Sequence, residues 1–269
     1  METIAIDGGA LAYADDGSGR AVVLIHGFLL NHSIWDGVMP ALTRRARVLR
    51  PDVRGLGESS VVPGPYLMET LAADVAALLD AQDIERATIV GHSLGGYIAL
   101  SFFRMYRERV EALALVGSRF AADTSDAARF RSDLAERTER EGISQAVQWL
   151  FPLLFAPHVY EENPPFVEET RRLCGRNDPR GAAALLRGAA LRVDSRDLIE
   201  DIDVPFLFSI GEADAIMGRA EAEDIAREGR ARVQLLPGCG HMPMFEAPDQ
   251  LAGALVELLE SAGKAAAGS

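Results

Sequence analysis

Short apolar runs alternate with segments of helical period over the first 118 residues. Thr3 to Ile6 and Ala10 to Ala14, set around Gly8-Gly9, read as two short strands joined as a hairpin. Ala21 to Ile25 is a continuous apolar run of the kind buried on both faces of a parallel sheet. Arg47 to Arg50 reads as a further strand, stopped by Pro51. Apolar residues then recur at helical spacing (Leu67, Leu71, Val75, Leu78, Leu79), which predicts a helix over 67–79, and Ala87 to Val90 returns to a β-branched run. Beyond the turn Gly91 to Gly96, a second helical pattern carries Tyr97, Ile98, Leu100 and Phe103, and Val110 to Val116 supplies another strand. This alternation predicts a parallel sheet covered by helices.

From Arg119 to Arg196 the alternation stops and the chain becomes helical, charged and rich in bulky apolar residues. Helices are expected at Asp126 to Glu141, Ile143 to Phe155, Pro165 to Leu173 and Gly181 to Leu191. The sheet then resumes with strands Val204 to Ile210 and Arg232 to Leu236, a helix Ala220 to Glu228 between them, and a closing helix Gln250 to Leu259. The small-residue tail Ala262 to Ser269 is expected to be disordered. The organisation is therefore an α/β core of about eight mostly parallel strands, residues 1–118 and 197–269, carrying an inserted helical cap, residues 119–196.

Composition narrows the class. A length of 269 residues suits one large domain with an insertion. Twenty-seven basic against 40 acidic residues give a formal charge of −13, which opposes binding to nucleic acid or anionic lipid. Met1 to Asp7 lacks the pattern of a secretory signal and no run of ~18 apolar residues suggests a membrane span, so a cytoplasmic protein is expected, as monomer or homodimer. Cys174 and Cys239 read as two buried thiols. The scattered histidines suggest no metal site, and the glycines lack a dinucleotide or P-loop pattern, so no cofactor is expected.

Gly91-His92-Ser93-Leu94-Gly95 fits the nucleophile elbow Gly-x-Ser-x-Gly, and it lies where that motif must lie, between a strand and a helix. A serine hydroxyl is a weak nucleophile at neutral pH and needs a base that titrates nearby. His241, in the glycine-rich loop after the last strand, is the candidate, whereas His26, His32, His92 and His158 read as packing, loop or surface residues. Families that carry this elbow run Ser, Asp or Glu, His along the chain, so the acid is expected between serine and histidine. Asp214, in the turn after strand Val204 to Ile210, fits best, with Glu212 as its rival. Backbone N–H groups of Leu94 and Phe28 are the expected oxyanion donors, Gly27 permitting the tight turn that the second requires.

Together these residues resemble the α/β-hydrolase superfamily, in its lid-bearing esterase, lactonase and carbon-carbon hydrolase branch. The resemblance extends to His26-Gly27-Phe28, Trp35-Asp36, Asp52 to Ser59 and Gly238 to Pro248, and within the branch Arg50 to Tyr97 is most similar to 3-oxoadipate enol-lactonases. Members with an aspartate in the elbow, the haloalkane dehalogenases and epoxide hydrolases, are disfavoured by Ser93. The Asp52 to Ser59 segment resembles a structural loop, with Asp52 and Arg54 tying it to its neighbours.

The expected function is hydrolysis of a small-molecule ester or lactone through an acyl-serine intermediate. Phe28, Phe120, Trp149, Phe151, Phe155 and Met242 are the candidate walls of an apolar pocket; Arg119, Arg129, Arg187 or Arg192 would instead hold a charged ligand. The alternatives are carbon-carbon hydrolysis of a vinylogous diketone, acyl transfer or perhydrolysis, and a weakly catalytic ligand receptor.

Overall fold

A computed structural model describes residues 1–218, 222, 224, 225 and 231–267. Eight strands form one sheet: β1 (Glu2–Ile6), β2 (Gly9–Gly17), β3 (Ala21–Ile25), β4 (Arg47–Pro51), β5 (Ala87–His92), β6 (Val110–Val116), β7 (Phe206–Gly211) and β8 (Arg232–Leu236). Their order is β1-β2-β4-β3-β5-β6-β7-β8; β2 runs antiparallel to both its neighbours and every later pairing is parallel. Every residue of β3 and β5 is buried, which is why those strands read as unbroken apolar runs rather than alternating ones.

Helices α2 (Met68–Ala81) and α3 (Leu94–Met105) pack on each other, and α3 also lies on β3, β5 and β6. The short α1 (Met39–Leu42) packs against the closing helix, which rests on β6 and β7. Five helices follow β6: α4 (Ser125–Glu141), α5 (Ser144–Leu150), α6 (Pro157–Glu162), α7 (Pro165–Gly175) and α8 (Pro179–Ala190). Local sequence fixes their ends. The Thr124 side chain accepts the Ala127 amide ahead of α4, Gly142 takes φ +100° after it, and Asp178 caps α8 just before Pro179. The two crossings between this insertion and the sheet lie side by side: the Ser195 amide donates to the Phe120 carbonyl (3.0 Å), and Arg192 pairs with Asp123 (2.7 Å) where both are buried.

Three expectations change. The helix expected over 143–155 ends as α5 at Leu150, followed by one 3-10 turn, Phe151–Leu153, because Pro152 has no N–H to extend the ladder. The tail is helical: the closing helix runs Pro248–Ala267, since alanine favours helix and Ala262 is buried. The helix expected at Ala220 to Glu228 falls largely outside the described residues. Cys174 and Cys239 are free, buried thiols, and among the described residues no helix is long and apolar enough to cross a membrane.

Candidate active site

The chain leaves β5 and enters α3 through a single residue in a rare backbone conformation. Ser93 has φ +53° and ψ −116°, a geometry that costs about 1–3 kcal/mol for a residue with a Cβ and persists only where the surroundings fix it. They do so here. The Ser93 amide donates to the Val116 carbonyl (2.9 Å), and the Ser93 carbonyl accepts from the Gly96 amide (2.9 Å) and the Ser118 hydroxyl (2.8 Å). The turn closes only because its flanks are bare: a Cβ on Gly91 would stand 2.2 Å from the Gly95 carbonyl oxygen, and one on Gly95 would stand 2.3 Å from that of Ile25. His92 and Leu94 are buried, and Ser93 between them is partly exposed.

Asp214 follows β7 and His241 follows β8, and their side chains meet. His241 Nδ1 lies 2.8 Å from Asp214 Oδ2, with both side chains buried. The other carboxylate oxygen accepts the amides of Ile216 (2.8 Å) and Met217 (2.9 Å). Burial by itself raises the carboxyl pKa, but His241 and these two amides outweigh it and hold Asp214 below its ordinary value. An ionised carboxylate only accepts, so Nδ1 carries a proton, and in the neutral imidazole Nε2 is the acceptor nitrogen. That Nε2 is buried and makes no hydrogen bond among the described residues. Gly117, at φ +53°, brings the pair to the elbow: its Cβ would lie 3.2 Å from His241 Nδ1 and 3.3 Å from Asp214 Oδ2, while its neighbours Val116 and Ser118 hold the Ser93 backbone. The rival carboxylate Glu212 is exposed and accepts the Gly238 amide at 3.4 Å.

The loop after β3 approaches from the opposite side. A Cβ on Gly27 would lie 3.1 Å from that of Ser93, so the loop abuts the serine directly. Among the described residues, neither the Phe28 nor the Leu94 amide donates a hydrogen bond. His26 holds the loop, donating from Nδ1 to the Gly27 carbonyl (2.8 Å) and accepting the Val53 amide at Nε2 (2.8 Å); burial lowers its pKa and keeps it neutral. Asn177, between α7 and α8, donates to the carbonyl of Leu29 (2.8 Å), a residue at φ +60°.

Sequence reasoning left several supporting residues without a role. His92 donates from Nε2 to the His241 carbonyl (2.8 Å), and burial lowers its pKa to about 3. Position inside the elbow was its only signal. Glu246 lies in the Gly238 to Pro248 segment singled out by resemblance, and Asn177 had no signal at all. In the Asp52 to Ser59 loop, Asp52 binds His32 (2.8 Å) and Arg54 pairs with buried Asp74 (2.6 Å).

The candidate pocket residues fall in separate clusters. Phe151 and Phe155 join Tyr160, Phe166 and Phe245 in an aromatic group, and Trp149 packs on Phe130. Phe120 is buried edge-on to Phe206, Met242 is buried beside His241, and Phe28 is buried in its loop. Of the arginines, Arg192 binds Asp123, Arg187 binds Glu139, Arg129 binds Asp126, and Arg119 donates to the Ile216 carbonyl. Among the described residues, no group of three or more His, Cys, Asp or Glu side chains is placed to hold a metal ion.

A sequence model of the alpha/beta hydrolase fold matches residues 20–248. The structure is similar to that of a thermophilic esterase from Thermogutta terrifontis (TM-score 0.92, 35% identity, 97% of each chain). It is also similar to an enol-lactonase from Burkholderia xenovorans (TM-score 0.88, 26% identity, 96% of this chain and 100% of that one). An uncharacterized protein of Mycobacterium tuberculosis is 41% identical over 107 residues, which span 40% of this chain and 31% of that protein.

Proposed function

The chain belongs to the alpha/beta hydrolase family, and on that footing we propose that it is a serine hydrolase cleaving a carboxylic ester or lactone through an acyl-Ser93 intermediate. The observation that carries this reading is the doubly anchored Asp214, which fixes the His241 tautomer and leaves Nε2 without a partner among the described residues, on a pair that reaches the elbow at Gly117. His241 Nε2 takes the hydroxyl proton as Ser93 Oγ attacks the substrate carbonyl carbon. The oxyanion of the tetrahedral intermediate accepts from the amides of Phe28 and Leu94. Collapse breaks the bond to the leaving oxygen, and the imidazolium returns its proton to that oxygen, releasing an alcohol from an ester or leaving it tethered in a lactone. His241 then deprotonates water, which attacks the acyl carbon; collapse breaks the acyl–Oγ bond, the imidazolium returns the proton to Ser93 Oγ, and the acid is released. Asp214 stays ionised throughout and stabilises the imidazolium.

In this reading residues 119–196 form a cap over the site, and the acyl side is lined by Phe28, next to Gly27 on the loop that abuts Ser93, and Met242, next to His241 in the chain, whereas Phe120 on Phe206 and Trp149 on Phe130 serve packing. The names of the esterase and enol-lactonase neighbours support an oxygen ester rather than another acyl derivative. The test compares rates on short p-nitrophenyl esters, simple lactones and a dienol-type diketone for wild type, Ser93→Ala and His241→Ala. Turnover of esters or lactones that disappears in both variants is the expected result. Cleavage of the diketone alone would move the assignment to carbon-carbon hydrolysis, and apolar ligand binding without turnover would make the protein a receptor.

A further inference from the structure

The imidazole of His241 is held by Asp214, but the backbone that carries it is held from elsewhere. His241 sits between two amides, those of Gly240 and Met242, and the Glu246 carboxylate accepts both: Oε2 takes the Gly240 amide at 2.9 Å and Oε1 the Met242 amide at 3.1 Å. Met242 is the N-cap of the four-residue helix Pro243–Glu246, and Glu246, its last residue and one position beyond the usual capping-box site, reaches back to the N-cap amide much as a capping glutamate does. What capping does not require is the third bond. Glu246 Oε2 also accepts the amide of Ala156, 90 residues earlier, at 3.0 Å, and Ala156 belongs to the helical insertion.

A second contact runs the same way. The His241 amide donates to the carbonyl of Leu154 at 2.9 Å, a group on the irregular stretch that follows the Pro152 break. Gly240 completes the fit, since a Cβ there would stand 2.4 Å from the Ala156 nitrogen and 2.7 Å from the Phe155 carbonyl carbon. Three consecutive amides, 240 to 242, are therefore tied to the insertion, two of them through one carboxylate.

We propose that Glu246 is a positioning residue for the hydrolytic reaction: it clamps the His241 loop to residues 154–156 of the insertion, so that the insertion sets where Nε2 meets the Ser93 hydroxyl. This inference rests on the triad reading above. Its chemistry explains why a carboxylate is used, because three N–H donors converge on two oxygens and only an acceptor-only group satisfies them all. A glutamine cannot: one end of its amide must face an N–H donor, either that of Met242 or those of Gly240 and Ala156.

The test is Glu246→Gln in the full chain, with Glu139→Gln, which removes the same charge from an exposed insertion pair, as control. Two readouts are taken on protein shown to be folded: kcat and KM for a p-nitrophenyl ester, and hydrogen–deuterium exchange of peptides covering 150–157 and 238–246. The expected result for Glu246→Gln is a kcat lower by about 10- to 100-fold with KM changed less than threefold, as befits an altered proton-transfer geometry, and faster exchange in both peptides together. Glu139→Gln changes neither readout. A kcat within twofold of wild type, or faster exchange in 238–246 alone, overturns the proposal. If wild type shows no Ser93-dependent turnover, the functional reading has failed while exchange still decides the clamp: joint loosening upholds it, and unchanged exchange removes it.

Discussion

Replacing Asp214 by asparagine tests the catalytic geometry with almost no change of shape. The effect follows from which atom faces which. Asp214 Oδ1 accepts two backbone amides, Ile216 at 2.8 Å and Met217 at 2.9 Å, and these donors cannot turn away because they belong to the turn itself. The asparagine oxygen must take that place, since an NH2 there would face two N–H groups at a cost of about 1–3 kcal/mol for each amide left unpaired. Its NH2 then points at His241 Nδ1, now 2.8 Å from a donor instead of an acceptor. The imidazole satisfies this only by moving its proton to Nε2, the nitrogen that accepts from Ser93 in the proposed mechanism. The same exchange in a serine-protease triad lowers kcat by about 10⁴-fold, or ~5.5 kcal/mol of barrier. A loss of that order is expected here in p-nitrophenyl ester hydrolysis at pH 7–8, with the melting temperature monitored in parallel. Retention of a tenth or more of wild-type kcat in a folded Asp214→Asn protein would refute the tautomer argument.

Other outcomes follow from the same contacts. Folded His92 titrates at about 3 against 6.5 for an unburied histidine, so the unfolded chain binds a proton that the native one refuses between those values. Stability should rise with pH across that window, and His92→Gln, which can still donate to the His241 carbonyl, should flatten the dependence of melting temperature on pH between 4 and 6. Below that range the depressed Asp214 carboxyl adds a further loss as pH falls through its folded value, visible as a steeper acid limb that Asp214→Asn lacks. Gly95→Ala drives a Cβ to 2.3 Å from the Ile25 carbonyl oxygen, and chemical denaturation should show a loss of about 3 kcal/mol or more, or no folded protein. Asn177→Ala frees the Leu29 carbonyl and the strained loop beside Phe28; a loss of ~1–2 kcal/mol in stability is expected, with a several-fold fall in kcat for the same ester.

The central strands were legible because they are buried on both faces. Ala21 to Ile25 and Val110 to Val116 have the observed limits, as does the half-buried edge strand Arg232 to Leu236, and the elbow glycines announced a turn that tolerates no side chain. Breaks and extensions inside helices were harder. Pro152 stood in a run otherwise fit for one helix, and only its missing N–H decides that α5 stops and leaves Leu154 and Ala156 to bond the His241 loop. The alanine-rich tail looked like a disordered end because its composition carries little apolar periodicity, yet packing of Ala262 extends the helix to Ala267. Ser93, Asp214 and His241 could be proposed from motif and chain order. The groups that support the site reach much further: Glu246 also accepts the Ala156 amide 90 residues away, Asn177 donates to the Leu29 carbonyl 148 away and His92 to the His241 carbonyl 149 away, separations that no local pattern encodes.

The central claim is that His241 activates Ser93 for covalent chemistry, and intact-mass analysis after treatment with a fluorophosphonate tests it most directly. One adduct per chain, mapped to Ser93, formed by wild type and slowed at least a hundredfold in His241→Ala, is the predicted result. A folded wild-type protein that acquires no adduct, or one labelled equally fast without His241, would contradict the account.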